Sequence, residues 1–177
     1  MRAVGCAERE GEMGQSKSMA YEQVSKPGGG FFMLTECVRD KVSGLLWEGK
    51  TNDGGLRDGS RLYTNWGDGR AGDASAYVAQ VNAMGLCGFD DWRLPTVDEL
   101  QSLVDYRRPL PGPAIDAQWF PHTWIDLSFL AWRGYWASEL YVDDPAYAWN
   151  VNFNHGTLGV NHRNNDGAVR LVRSGRC

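Results

Sequence analysis

The spacing of apolar and polar positions divides the chain into a polar head, a helical middle and a strand-rich end. Residues 1–30 carry few apolar side chains and close on Pro27-Gly28-Gly29-Gly30. This predicts a flexible N-terminal arm with at most one short strand near Tyr21 to Val24, ahead of a single folded domain over 31–177. Cys37 to Glu48 reads as two strands about a turn at Asp40 to Gly44, with Val42, Leu45 and Trp47 as the apolar positions. Turn residues crowd 50–72, which predicts loop. From Asp73 to Met84, Ala74, Tyr77, Val78, Val81 and Met84 recur every three or four positions. That is one face of a helix, with Asp73 placed to cap it and Gly85 to end it. Thr96-Val97-Asp98-Glu99 is a capping box that starts a second helix, expected to end by Tyr106.

Residues 109–132 are rich in proline and aromatics without a period, and are expected to form a long packed loop. Strands follow at Tyr135–Ser138, Ala148–Phe153 and Ala168–Arg173, with turns at Gly156 and Asp166-Gly167. Helices followed by strands predict an α+β fold, with two helices packed on a small antiparallel sheet and long irregular loops.

Composition narrows the class. A chain of 177 residues suits one domain, and its 22 glycines and 8 tryptophans suit loops pinned by large side chains rather than a helical bundle. The net charge of −4 argues against a nucleic-acid partner, and the basic run Val169 to Arg176 reads as a strand alternating Val/Leu with Arg. No apolar run approaches the ~20 residues of a membrane span, so direct membrane insertion is not expected. The first ten residues lack the apolar stretch of a signal peptide, and Ala3-Val4-Gly5-Cys6 is only faintly like a lipoprotein cleavage site. Cys6, Cys37, Cys87 and Cys177 contain no C-x-x-C pair. Four free thiols and one or two disulfides both fit this spacing; Cys37 with Cys87 is the pairing expected if one forms.

Five segments together resemble a known family: Cys37–Glu48, Asp91–Val104 with its Trp92-Arg93-Leu94-Pro95-Thr96 core, Tyr135–Ser138, Ala148–Gly156 and Val169–Arg173. The chain is similar over about 36–173 to the C-terminal domain of bacterial collagen-like adhesins. That resemblance implies a C-type-lectin-like fold, ligand binding without catalysis or cofactor, and display at a cell or virion surface. It also implies kinship with the variable proteins of diversity-generating retroelements, in which adenine-templated codons near the C-terminus are randomised. Asparagine, a residue such templates favour, occurs nine times here, six of them between 150 and 165.

On this reading Trp149, Val151, Phe153, Leu158, Val169, Leu171 and Val172 form the fixed scaffold, together with Trp47, Trp92 and Trp136. Asn150, Asn154, His155, Thr157, Gly159, Asn161, His162, Asn164, Asn165, Asp166 and Ala168 form the variable surface that meets a protein or glycan ligand. Strand alternation should turn the first set inward and the second outward. Asn152 stands apart, with a structural side-chain bond expected.

Catalytic chemistry is sparse. His155 and His162 lie seven apart, which is not a zinc-ligand spacing, and no phosphate loop or nucleophile elbow is present. Adjacent Asp90-Asp91 and Asp143-Asp144 read as turn and cap residues, and the sugar-binding calcium motifs of lectins are missing. The expectation is therefore a non-enzymatic binding domain. The alternatives are an adhesin of fixed specificity for glycans or glycosaminoglycans, and an enzyme related to formylglycine generators. The residues leave the oligomeric state open.

Overall fold

The structure, a computed structural model, describes residues 20–110, 112–128 and 132–175. Two antiparallel sheets and two helices make the fold α+β. The first sheet runs β1 (Tyr21–Gln23), β2 (Cys37–Asp40), β3 (Leu46–Glu48) and β7 (Val172–Arg173) in that spatial order. The second is β4 (Tyr135–Leu140), β5 (Tyr147–Asn152) and β6 (Thr157–His162). No helix among the described residues is long and apolar enough to cross a membrane.

The two faces of the first sheet feed two cores. Val38, Trp47 and Val172 align across β2, β3 and β7 and pack with Leu100, Leu103, Ile115, Phe120 and, from the second sheet, Tyr135 and Val151. On the other face, Cys37, Leu46 and Leu171 meet Ala74, Tyr77 and Val81 of α1 (Ala74–Met84), along with Trp92 and Trp136. Both faces are thus covered, and the short strands gain little from solvent-facing alternation. A disulfide joins Cys37 to Cys87, which sits in a 3₁₀ turn just after α1. The 50-residue separation it spans stabilises the fold by about 4 kcal/mol through loop closure.

Local signals placed the helices well. Asp73 accepts from Ser75 N to cap α1, and Gly85 ends it in the left-handed conformation at φ +66°. Thr96 and Glu99 form both halves of the capping box on α2 (Val97–Ser102). The Glu139 carboxylate adds a bond from Val97 N at 3.0 Å, tying that helix to β4. α2 stops at Ser102, short of Tyr106, yet Leu103 and Val104 stay buried in the turns beyond.

Three expectations need correction. Tyr21 and Val24 are buried and β1 pairs with β2, so residues 21–30 belong to the folded domain rather than to an arm ending at Gly30. Residues 1–19, with Cys6, lie outside the described residues, as does Cys177. Thr157–His162 is a strand beyond the three expected, because it pairs with β5 over six consecutive positions. The predicted strand Ala168–Arg173 shrinks to two residues, since Ala168 forms only a bridge to Tyr135 and Arg170 turns its side chain into the core.

Glu48 and Arg170 form the polar centre between the sheets. Buried Glu48 accepts from the Tyr77 hydroxyl, from Lys50 Nζ at 3.0 Å and from Leu171 N at 2.9 Å. Arg170 donates to the Glu48 carbonyl at 2.6 Å and to Thr123 Oγ1 at 2.9 Å, with its guanidinium 5.1 Å from the Phe120 ring centre. One carboxylate beside two cations leaves Lys50 poorly compensated, and burial lowers its pKa to about 8.

Candidate C-terminal binding surface

The predicted surface residues lie on the β5–β6 hairpin and the turn after it. The hairpin closes through Phe153 to Gly156, where Gly156 N donates to Asn152 O at 2.8 Å. Only glycine fits position 156: its φ is +78°, and an added Cβ would stand 2.3 Å from Val104 Cγ1. Asn152 makes the structural bond expected of it, donating to Arg133 O at 3.0 Å and accepting from Asn154 N at 2.6 Å.

The hairpin does not sort by alternation as expected. Asn150 and Asn161, both assigned to the outward set, are 2% and 8% exposed. Ala168 is buried as well, its N–H donating to Gly134 O. For Asn150 the physical reason is position, since β5 is the central strand of its sheet. The Asn150 amide is enclosed between Gly134 and Gly159, where added Cβ atoms would lie 2.8 and 3.5 Å from its Oδ1. Asn161 Oδ1 accepts from Asn165 Nδ2 at 3.1 Å. Asn154 also departs from a display role. Its amide accepts from Asp126 N at 3.0 Å and donates to Asp126 O at 2.6 Å, which staples the hairpin turn to the loop before β4. Burial pushes the Asp126 carboxyl upward, but bonds from Ser128 and Arg133 outweigh it and hold the pKa at about 2.

The scaffold set divides too. Trp47, Trp92, Trp136 and Phe153 are buried, whereas Trp149 is half-buried and meets Tyr141 edge to face at 5.8 Å. Leu158, expected inward, is 44% exposed on β6, because nothing among the described residues covers that edge strand's outer face as fully as α2 covers β4 and β5.

What remains outward is a coherent set. His155, Thr157, Asn164 and Asp166 are exposed, and Asn154, Gly159, His162 and Asn165 are partly so. At the far end of β6 this set meets a residue that sequence reasoning missed, Trp66. Its indole Nε1 donates to Asn164 Oδ1 at 3.2 Å, and the Arg163 guanidinium lies 4.9 Å from its ring centre. His162 stands edge-on between Trp66 at 5.9 Å and Tyr147 at 5.2 Å, and its Nδ1 accepts from Asn164 N at 3.2 Å. Arg163 clamps the patch by donating to the carbonyls of Asn65, Trp66 and Pro145.

Asp73 holds the Trp66 loop in place. Beyond capping α1, its carboxylate accepts from Trp66 N at 2.6 Å, Gly67 N at 3.0 Å and Thr64 Oγ1 at 2.8 Å. Burial pushes this carboxyl upward, and the bonds from Ser75, Trp66 and Thr64 prevail to bring its pKa to about 2. The only hint in the sequence was a tryptophan set among turn residues, Asn65-Trp66-Gly67-Asp68-Gly69. Nothing local says that this loop lies against residues a hundred positions later.

The patch offers stacking faces, amides and guanidinium groups, which suit recognition. Among the described residues, no three His, Cys, Asp or Glu side chains gather in a way that could hold a metal ion. Residues 36–173 match the Lcl C-terminal domain family. No curated protein and no solved structure matches the chain.

Proposed function

This chain belongs to the Lcl C-terminal domain family, and we propose that it is a C-type-lectin-like, non-enzymatic domain that binds a protein or glycan ligand through its C-terminal surface. The observation that carries this reading is the union of His162, Arg163 and Asn164 with Trp66 on a preorganised frame. Asp73, Arg163 and the β5–β6 register fix the backbone beneath them, so binding need not order a loop. The closed state of Cys37 and Cys87, tied to each other and buried, gives no support to a thiol-based enzyme.

Diversification by a retroelement is part of the same proposal, and is confined to the positions that the fold leaves open: His155, Thr157, Asn164 and Asp166, with His162 and Asn165 at their margin. Asn150, Asn161 and Ala168 would change the interior and are excluded from it. A second reading, an adhesin of fixed specificity for glycans, draws on the Trp66 ring flanked by Arg163 and Arg70.

The test is a printed array of glycans and purified extracellular proteins, probed with the wild-type chain and with a variant carrying alanine at 66, 157, 162 and 164. Loss of a wild-type signal by the variant, with thermal unfolding unchanged, is the expected result. Binding that survives all four changes overturns the proposed surface. A near-copy of the codons for about 138–173 beside a reverse transcriptase gene, differing at template adenines, separates the diversified reading from the fixed one.

A further inference from the structure

We propose that the cavity at the free edge of the first sheet is a second binding site, for a small zwitterion with an apolar body, of which free phenylalanine is the simplest example. The cavity measures about 410 Å³ and is lined by β1, β2, the segment after β1 and the turn that follows α1. That volume falls within the ~300–1,000 Å³ of typical small-molecule sites. None of its lining comes from β4, β5, β6 or the Trp66 loop, so it is separate from the C-terminal surface.

Its chemistry is two-sided. Glu22 and Arg39 are direct cross-strand partners and both line the cavity, with Arg39 Nε 3.4 Å from Glu22 Oε1. That ion pair uses one nitrogen and one oxygen. The Arg39 Nη groups and Glu22 Oε2 have no other hydrogen-bond partner among the described residues. A ligand carrying only a carboxylate would satisfy Arg39 while facing Glu22, and a lone amine would meet the reverse conflict. A ligand with both groups a short distance apart answers both charges.

Gln23 and Ser25 add polar lining on the β1 side, and the remaining side chains are mainly apolar. Val24 and Pro27 come from the segment after β1, Phe31 from the returning limb of the glycine turn, and Phe89 from the turn after α1. Phe31 is 57% exposed, so its ring is accessible to a ligand in the cavity. Phe89 is fixed by the Arg173 guanidinium, 3.7 Å from its ring centre, which is itself held by Asp91 at 2.6 Å. The disulfide at Cys87 anchors the same wall, so most of the site exists before a ligand arrives.

Isothermal titration of the wild-type chain with phenylalanine, 3-phenylpropanoate and 2-phenylethylamine tests this. Phenylalanine should bind saturably, and each single-charge analogue should bind at least about tenfold more weakly. Glu22→Gln and Arg39→Gln should each weaken phenylalanine by a similar factor while thermal unfolding stays unchanged, and Trp66→Ala should leave it alone. Amide shifts on titration should centre on Val24, Phe31 and Phe89. Absence of saturation at millimolar phenylalanine, equal binding of either analogue, or indifference to both charge variants overturns the proposal.

Discussion

β5 and β6 are neighbours of equal length, paired residue for residue from Tyr147↔His162 to Asn152↔Thr157, yet they obey different rules. Along β5, polar Asn150 and Asn152 are as buried as apolar Val151. Along β6, apolar Leu158 and Val160 are as open as polar Thr157. Side-chain polarity alone predicts neither strand. Where its faces are covered the central strand buries even asparagine, and the open stretch of the edge strand exposes even leucine and valine, although Asn161 near its far end is buried. The difference matters for function, because a hairpin that displays residues can do so only from its uncovered strand and its ends.

The sharpest way to break this contrast is to remove the cover over β5. Trp136 lies opposite Asn150 across β4 and β5, donates from its indole to Tyr63 O at 2.7 Å, and is pressed by Gly167, where an added Cβ would stand 2.6 Å from its Nε1. Trp136→Ala should destabilise the fold by about 3–5 kcal/mol in denaturant unfolding, by cavity formation and loss of apolar burial. A cost below about 1 kcal/mol would mean that this face of the sheet is not packed as described.

Next in size is charge placed at the enclosed amide. Asn150→Asp keeps the shape but puts a carboxylate where no hydrogen-bond partner waits, and should cost about 3 kcal/mol at pH 7. The sign follows from burial, which favours the neutral acid. The loss should shrink as pH falls toward 4, where the introduced group takes a proton in both the folded and unfolded chain. The same change at exposed Asn164 should show no such pH dependence.

The first sheet supplies a control in which the buried polar group already carries charge. The folded chain gives up the Lys50 proton at about 8, while the unfolded chain keeps it to the ordinary lysine value of 10.5. Between these limits the unfolded state binds more protons, so stability should rise with pH, by about 2 kcal/mol from pH 8 to pH 10. Above pH 10 the trend reverses, since burial holds the Tyr77 and Tyr21 hydroxyls protonated in the fold while the unfolded tyrosines ionise. Urea melts at intervals across this range should show the rise in the wild type and lose it in Lys50→Met.

Legibility in the sequence followed the range of the interaction that decides each feature. The α1 cap at Asp73, the stop at Gly85 and the Thr96–Glu99 box are settled within a few residues, and all were read correctly. The Cys37–Cys87 pairing is long-range but chemically restricted to a few partners, so it could be anticipated as one option. The β6 strand was missed because Gly159 and Asn161 are poor strand formers in isolation, and pairing with β5 overrides that preference. Trp66 escaped because its significance depends on Asn164 and Arg163, 98 and 97 positions away. The inward turn of Asn150 and Asn161 was hidden for a related reason: period two tells which residues share a face, but not whether that face is covered.

The smallest expected effect is also the most informative about the surface. Asn164→Ala removes the acceptor for Trp66 Nε1, a bond of 3.2 Å at an exposed position. Water can take over that donor, so the net loss of stability should stay within about 0.5 kcal/mol. The indole, no longer tethered, should gain freedom on its exposed side while Arg163 and the Asp73 bonds still hold the loop backbone. Trp66 indole N–H exchange measured by NMR should therefore quicken, with the backbone amides of Trp66 and Gly67 unchanged. If those amides also lose protection, Asn164 is holding the loop rather than decorating it, and the line drawn between frame and displayed surface has to move inward by that residue.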